Sequence, residues 1–316
     1  MMSNTHLSVV VPVYGCSESL EILHQRLCAA LASITDHFEI ILVEDASPDS
    51  SWQMIRRLAT NDPKVKGIKL ARNFGQHCAI TAGLDCAQGD WVVVMDCDLQ
   101  DQPEMIPRLY HKSNEGFEVV VGVRAKRQDG FFRKTASALF FKIFQYFTDT
   151  QIDNRIGNFG LYSRKVIHAV RQLREHHRSF GLLVIWLGFP RAEIEVQHAK
   201  RAYGKSTYNF HKMLNLAIES IISYSNKPLK LTVKIGFLLS ICSFVYALWL
   251  IISYLLWGIP VAGWTSVMVS LYFLAGLNIG SIGMLGLYIG RIFDETKNRP
   301  LYIIEQTTFE AGNGSK

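Results

Sequence analysis

No Asp, Glu, Lys, Arg or His occurs from Ile235 to Gly290, a run of 56 residues in a chain of 316. Charged residues make up 19% of the chain, so the gap is local, and the core of a soluble domain does not require an uncharged run of that length. Other absences narrow the chemistry. PVYGCSES follows the first apolar stretch where a dinucleotide enzyme would carry GxGxxG, and nothing matches GxxxxGK[ST], so nicotinamide, flavin and P-loop chemistry are excluded. No GxSxG is present to form the strand-turn-helix elbow of a hydrolase. The six cysteines include neither a CxxC pair nor a metal-ligand spacing, and are expected to be reduced packing residues. The N-terminus lacks the basic-then-apolar order of a signal peptide.

A bilayer-crossing helix needs about 20 apolar residues, so the uncharged run suits two spans. Gly258, Pro260 and Gly263 supply a break between them. Helices are predicted over residues 231–257 and 264–290. Lys227, Lys230 and Lys234 precede the first, Arg291, Lys297 and Arg299 follow the second, and the connecting turn is uncharged. The excess of basic residues at both outer ends predicts that both termini are cytoplasmic. Residues 1–206 are then a cytosolic domain, 207–230 a juxtamembrane interfacial helix, and 291–316 a cytosolic tail.

The net charge is +6, and from Lys200 to Lys234 seven Lys or Arg face one acidic residue, Glu219. Basic residues beside an apolar hairpin fit anionic headgroups or an anionic substrate at that surface better than nucleic acid. Two stretches, FFRKTASALFFKIFQYF and Tyr208 to Tyr224, mix aromatic, apolar and basic residues and read as interfacial helices. Gly276, Gly280, Gly286 and Gly290 form two GxxxG patterns that would allow close packing within the hairpin or between subunits of a homo-oligomer.

In the first 124 residues β-rich runs alternate with helical patterns: LSVVVPVY, FEIILVEDA, VKGIKLA, WVVVMD and EVVVGVR, with helices between. That alternation predicts an α/β fold with a mostly parallel, Rossmann-like sheet covered by helices on both faces. Ligands in such sheets bind at the carboxyl ends of the strands. The residues there are Pro12 and Tyr14, Glu44 and Asp45, Arg72 and Asn73, Asp96 and Asp98, and Arg124.

Asp96 and Asp98 in DCDLQD, spaced as Asp-x-Asp, either hold a hard divalent cation, Mg²⁺ or Mn²⁺, that would grip diphosphate oxygens, or form a polar turn after a buried strand. Asp101, ahead of Pro103 and Glu104, reads as a helix N-cap with a capping-box partner. In VEDASPDS, Ser47 to Asp49 read as a turn and cap. Asp45 is left facing the crevice, where it could accept hydrogen bonds from a base or ribose while Tyr14 stacks on the base.

VVPVYG, VEDASPDSS, LARNFGQHCAITAGLDCAQGD, DCDLQDQPEMIP and RAYGKSTYNFHK together resemble the ordered motifs of family 2, GT-A-fold glycosyltransferases. With the C-terminal hairpin, the chain is most similar to polyisoprenyl-phosphate glycosyltransferases, including bactoprenol glucosyltransferases and dolichyl-phosphate mannose synthases. The resemblance extends to about residue 300. It implies a metal-dependent, hexosyltransferase-type enzyme that moves one sugar from a UDP-linked donor to undecaprenyl phosphate at the bacterial inner membrane, for cell-envelope glycan modification. Pro12, Tyr14, Val43, Asp45 and the DCD residues Asp96, Cys97 and Asp98 would contact the nucleotide sugar, with Gln100 in support. Asp96 and Asp98 would hold the metal, Arg201 and Lys205 would close over the diphosphate, and Arg124, Arg133 and Ser137 would grip the lipid phosphate.

Two departures stand out: Cys16 where PVYNE is usual, and Asn158 where relatives commonly carry an aspartate proposed as base. A neutral amide cannot act as a base, which raises the alternative of a silent scaffold. A phosphate monoester, however, has a second pKa of about 6 and is largely dianionic at neutral pH, so it needs orientation more than deprotonation. Asn158 thus favours a phosphate acceptor over a sugar hydroxyl; Asp153, five positions earlier, reads either as a substitute carboxylate or as a loop surface residue. A processive polysaccharide synthase would carry QxxRW and more spans, and this chain has neither.

Overall fold

Every residue of strand β1 (Leu7–Val13) is buried, which only a strand covered on both faces can be. The computed structural model describes residues 7–124, 145–147, 156–196, 225–257 and 263–310. Among these, β1 is followed by α1 (Leu20–Ala32), β2 (Phe38–Glu44), α2 (Ser51–Asn61), β3 (Val65–Leu70), α3 (Gln76–Cys86) and β4 (Trp91–Val94). A single 3-10 turn (Pro103–Met105), α4 (Ile106–Ser113), β5 (Val119–Arg124), β6 (Ile156–Ser163), α5 (Arg164–Gln172), α6 (Phe180–Leu187) and β7 (Arg191–Val196) come next. The remainder is α7 (Lys227–Trp257), α8 (Trp264–Thr296) and β8 (Ile304–Thr307).

The eight strands form one sheet in the order β7-β5-β6-β4-β1-β2-β3-β8. β1 pairs in parallel with both β2 and β4, β2 with β3, and β5 with β7. β6 runs antiparallel between β4 and β5, and β8 antiparallel on β3. The mostly parallel sheet expected from the sequence is thus present, with two inserted antiparallel strands.

Side-chain alternation divides the core in two. Val9, Val11, Ile40 and Leu42 face one side, where Leu23 and Leu27 of α1, Ile55 of α2 and Leu109 of α4 cover them. Val10, Ile41 and Val43 face the other, against Ala79 and Ile80 of α3, Val166 of α5 and Phe180 of α6. The period of two in a strand therefore dictates helices on both faces.

The chain divides into two compact units, one of Met1–Lys134, Ile152–Thr207 and Arg299–Lys316, the other of Thr135–Gln151 and Tyr208–Asn298. The segment from Arg299 groups with the sheet because β8 pairs with β3. Gly67 and Thr308 exchange backbone and hydroxyl hydrogen bonds at 3.0 and 2.8 Å. Trp52 Nε1 donates to Gln306 at 3.1 Å, and Tyr302 donates to Asp85 at 2.7 Å. A four-residue strand of sequence IEQT has no apolar alternation and cannot be distinguished from a tail until its partner edge exists.

In the second unit α7 and α8 are long and apolar enough to cross a bilayer. Phe237, Phe244 and Tyr272 are about 70% exposed or more, a surface that water would not tolerate over two such helices. Cβ atoms built on Gly276, Gly280, Gly286 and Gly290 meet nothing within 4 Å among the described residues.

Gly83, in the middle of α3, gives a direct test of the packing against β1 and β2. An added Cβ would strike the Val10 side chain and approach Val43 Cγ2 to 3.1 Å. Gly to Ala in a helix normally gains about 1 kcal/mol, whereas overpacking a core costs about 1 to 3 kcal/mol. Gly83→Ala is accordingly expected to lower the unfolding temperature of the detergent-solubilised protein; a rise would contradict this packing.

Candidate active site

β1 lies between β2 and β4, so the chain runs outward through β2 and β3 and then returns to the other side of β1. Such a reversal opens a crevice beyond the carboxyl ends of β1 and β4. The amide of Met95 still bonds Val10 O at 3.2 Å, after which the chain leaves the sheet through Asp96, Cys97 and Asp98. Leu99 then turns it sharply at φ 60°.

Asp96 is half-buried, and its Oδ1 accepts from Gln76 Nε2 at 2.6 Å and from Asn158 Nδ2 at 3.4 Å. Asp98, also half-buried, accepts at Oδ1 from the backbone amide of Gln100 at 3.1 Å. The Asn158 side chain and the Gln100 backbone amide thus lie at the acidic pair. Gln76 was not singled out from the sequence, although the RNFGQH stretch contains it; a glutamine at a helix start has no signature until that helix is placed beside β4. Two carboxylates of this kind are hard oxygen donors and suit Mg²⁺ or Mn²⁺.

Across the crevice Tyr14 is 54% exposed, with its ring open to a ligand. Gly15, at φ +67°, turns the chain so that its amide reaches Ser47 Oγ at 2.7 Å. Asp49 organises this wall by accepting from Ser17 N, Ser47 Oγ, Ser51 N and Ser51 Oγ at 2.6 to 3.1 Å. Pro12 and Val43 face each other across the β1–β2 ladder. Val43 is 0% exposed and packs in the core, so only its backbone can meet a ligand.

Asp45 differs from expectation. Its carboxylate is buried, accepting from Phe74 N at 2.7 Å and Gly75 N at 2.9 Å, and so braces the approach to α3. Burial nonetheless pushes its pKa up. About two of four lone-pair sites remain for a nucleotide. Neighbouring Glu44 is also buried, which raises its pKa, and accepts from Ser47 N. His77 is pushed down to about 4 by burial and by Arg178; its Nδ1 accepts from Phe180 N at 3.3 Å, a packed neutral histidine.

Two expectations are corrected. The N-cap position of the following turn falls on Gln102 and not on Asp101, and Glu104 forms a two-point pair with Arg26 of α1 at 2.6 and 2.7 Å. Cys16 and Cys97 are joined as a disulfide across a sequence separation of 81, although all six cysteines were expected reduced. No local spacing announces that pair; the adjacency of β1 and β4 creates it. Arg124 ends β5, and only its backbone is described. Arg133, Ser137, Asp153, Arg201 and Lys205 lie outside the described residues.

A three-layer α/β sheet with an acidic pair at its switch point is the architecture of a GT-A transferase. The chain belongs to glycosyl transferase family 2, whose description matches residues 8–171. An SfII prophage-derived bactoprenol glucosyl transferase of Shigella flexneri is 37% identical over 302 residues, covering 95% of this chain and 98% of that protein. The uncharacterized glycosyltransferase YkcC of Bacillus subtilis is 38% identical, covering 97% and 95%. Among solved structures, glucosyl-3-phosphoglycerate synthase from Mycobacterium tuberculosis, in complex with Mn²⁺, UDP and phosphoglyceric acid, superposes with a TM-score of 0.51 at 14% identity, covering 69% and 77%. That last likeness concerns the fold.

The Asp49 wall yields a pH test. Although burial pushes its pKa up, the serine hydroxyls and the amides of Ser17 and Ser51 hold it below the ordinary 3.8. A depressed carboxylate contributes stability that is present above the unfolded value and lost as pH falls toward the folded one. Asp49→Asn is expected to cost about 1 to 3 kcal/mol near neutral pH. In thermal unfolding the gap from wild type should stay constant down to about pH 5 and shrink below about pH 4.

Proposed function

We propose that this enzyme transfers one sugar, with inversion, from a UDP-linked donor to a polyprenyl phosphate such as undecaprenyl phosphate, giving a polyprenyl monophosphate sugar. The observation that carries the reading is the half-buried Asp96 and Asp98 pair after β4 and the exposed Tyr14 after the adjacent β1, in a chain 37% identical, over 95% of its length, to a bactoprenol glucosyl transferase. A relative in fold binds Mn²⁺ with UDP, and another complex of it holds Mg²⁺ with UDP.

Asp96 and Asp98 would hold the divalent cation, which when bound supplies positive charge against the leaving diphosphate. Tyr14 would stack on the base, with the Pro12 and Val43 backbone, Asp45 and Gln100 lining the nucleotide. Arg201 and Lys205 would add charge over the diphosphate. Arg124, Arg133 and Ser137 would orient the acceptor phosphate, whose oxygen attacks the anomeric carbon opposite the leaving group. Arginine forks suit phosphate oxygens. Asn158 would position a group near Asp96 and need not remove a proton.

The two apolar helices support a membrane-bound enzyme. β8 follows α8 yet pairs with β3, which precedes α7. A hydrogen-bonded sheet cannot be divided by a bilayer, so spanning helices must enter and leave on one side. The basic residues at both outer ends favour the cytoplasmic side of the inner membrane. The domain division of 1–206, 207–230, 231–290 and 291–316 serves this reading, amended by the return of β8 to the sheet.

Membranes carrying the protein, given radiolabelled UDP sugars, undecaprenyl phosphate and Mg²⁺ or Mn²⁺, should yield lipid-linked label that is lost on chelation. Absence of label with every donor would overturn the enzyme reading, and label in long polymer would favour a synthase. Asp98→Ala is expected to reduce transfer by about 10²- to 10⁴-fold, the loss of several kcal/mol of transition-state stabilisation. Asn158→Asp should change the rate by less than about 10-fold. Full activity in the first, or a gain near 10³-fold in the second, would contradict this mechanism.

A further inference from the structure

Cys97 is the central residue of the DCD motif, and Cys16 lies in the turn after β1, two positions beyond Tyr14. Their disulfide spans the switch-point crevice with a Cα separation of 6.2 Å and ties the acidic loop to the wall that carries the exposed tyrosine. Ser19 Oγ lies at the same seam, donating to the carbonyl oxygens of Cys16 at 2.9 Å and Cys97 at 2.8 Å. With the bond closed, Asp96 Oδ1 is engaged by the Gln76 and Asn158 amides, and Asp98 Oδ1 by the Gln100 amide. Residue 97 sits between the two carboxylates, so a cross-link at Cys97 restrains the short backbone segment that carries both.

We propose that Cys16 and Cys97 form a reversible redox modification site, whose disulfide holds the acidic loop away from metal chelation and whose dithiol form binds the nucleotide donor. This rests on the donor site proposed above. Cys97 is 6% exposed whereas Cys16 is partly exposed, so Cys16 is the entry point. Its thiolate attacks a low-molecular-weight disulfide such as oxidised glutathione, forming a mixed disulfide and releasing one small thiol. The Cys97 thiolate then attacks Cys16 Sγ and expels the second. The protein pair loses two electrons and two protons, and the small disulfide gains both. Three half-buried thiols are poor competitors: partial burial pushes the pKa of Cys28 up to about 11 and raises those of Cys78 and Cys86 as well. A closed disulfide in a protein facing a reducing compartment is characteristically transient or redox-sensing.

Binding and oxidation must then be reciprocally linked. The full-length protein in detergent would be equilibrated in glutathione buffers of graded redox ratio, with and without UDP and Mn²⁺. Alkylation followed by mass analysis reads the state of Cys16 and Cys97, and calorimetry reads UDP affinity. We expect the pair to oxidise, UDP–Mn²⁺ affinity to fall by about 10-fold, and the ligand to move the midpoint by about 30 mV toward more oxidising buffers, the same factor for a two-electron couple. Cys16→Ser should show one affinity in every buffer. A pair that stays reduced throughout, an oxidised form that binds equally or more tightly, or a Cys16→Ser protein that keeps the response would overturn the proposal. Equal affinity in the two states leaves the donor-site reading intact, whereas a reduced protein that binds no UDP–Mn²⁺ overturns that reading and this one together.

Discussion

β1 is hydrogen-bonded on both edges and packed on both faces, and its neighbours inherit their position from it. The β1–β2 ladder sets Pro12 opposite Val43, and the β1–β4 ladder ends at Val10 and Val94. Because apolar side chains cover both faces, a one-residue slip would exchange the two cores, so the register is strongly specified. The loops that follow these strands must therefore emerge side by side. Tyr14, Ser47, Asp96 and Cys97 meet for that reason, despite lying on three separate stretches of chain.

The loops carry the polar groups that the core rejects. Asp45 accepts two backbone amides and Asp49 accepts two amides and two hydroxyls, so both act first as internal braces of the crevice wall. The residues that remain for a substrate stand on this frame: an open aromatic ring on one wall and two half-buried carboxylates on the other. A bidentate Glu104–Arg26 pair anchors the turn after the acidic loop to α1.

The chain's second chemical character is its uncharged run. Two helices carry large exposed apolar residues and are long and apolar enough to cross a bilayer. A phosphate on a membrane lipid is an acceptor that suits both the location and the neutral Asn158. In the function proposed above its oxygen is already anionic, which a neutral amide beside Asp96 suits.

Strand and helix alternation, the two apolar helices, and the candidate acidic pair were legible in the amino-acid order, because each is a local pattern: a period, an uncharged length, a carboxylate spacing. DCDLQD and VEDASPDSS could be placed at strand ends for the same reason. What was not legible depends on which strands become neighbours. The Gln76 and Asn158 contacts to Asp96, the enclosure of Asp45 by the Phe74 and Gly75 amides, the N-cap position at Gln102 and not Asp101, and the addition of Ile304–Thr307 to β3 all follow from a strand order that no local spacing encodes. The union of Cys16 and Cys97 is the clearest case. The sequence by itself determined that two thiols flank the acidic motif and the first strand; only the pairing of β1 with β4 decided that they touch, because a bond across 81 residues is set by the path of the chain in space.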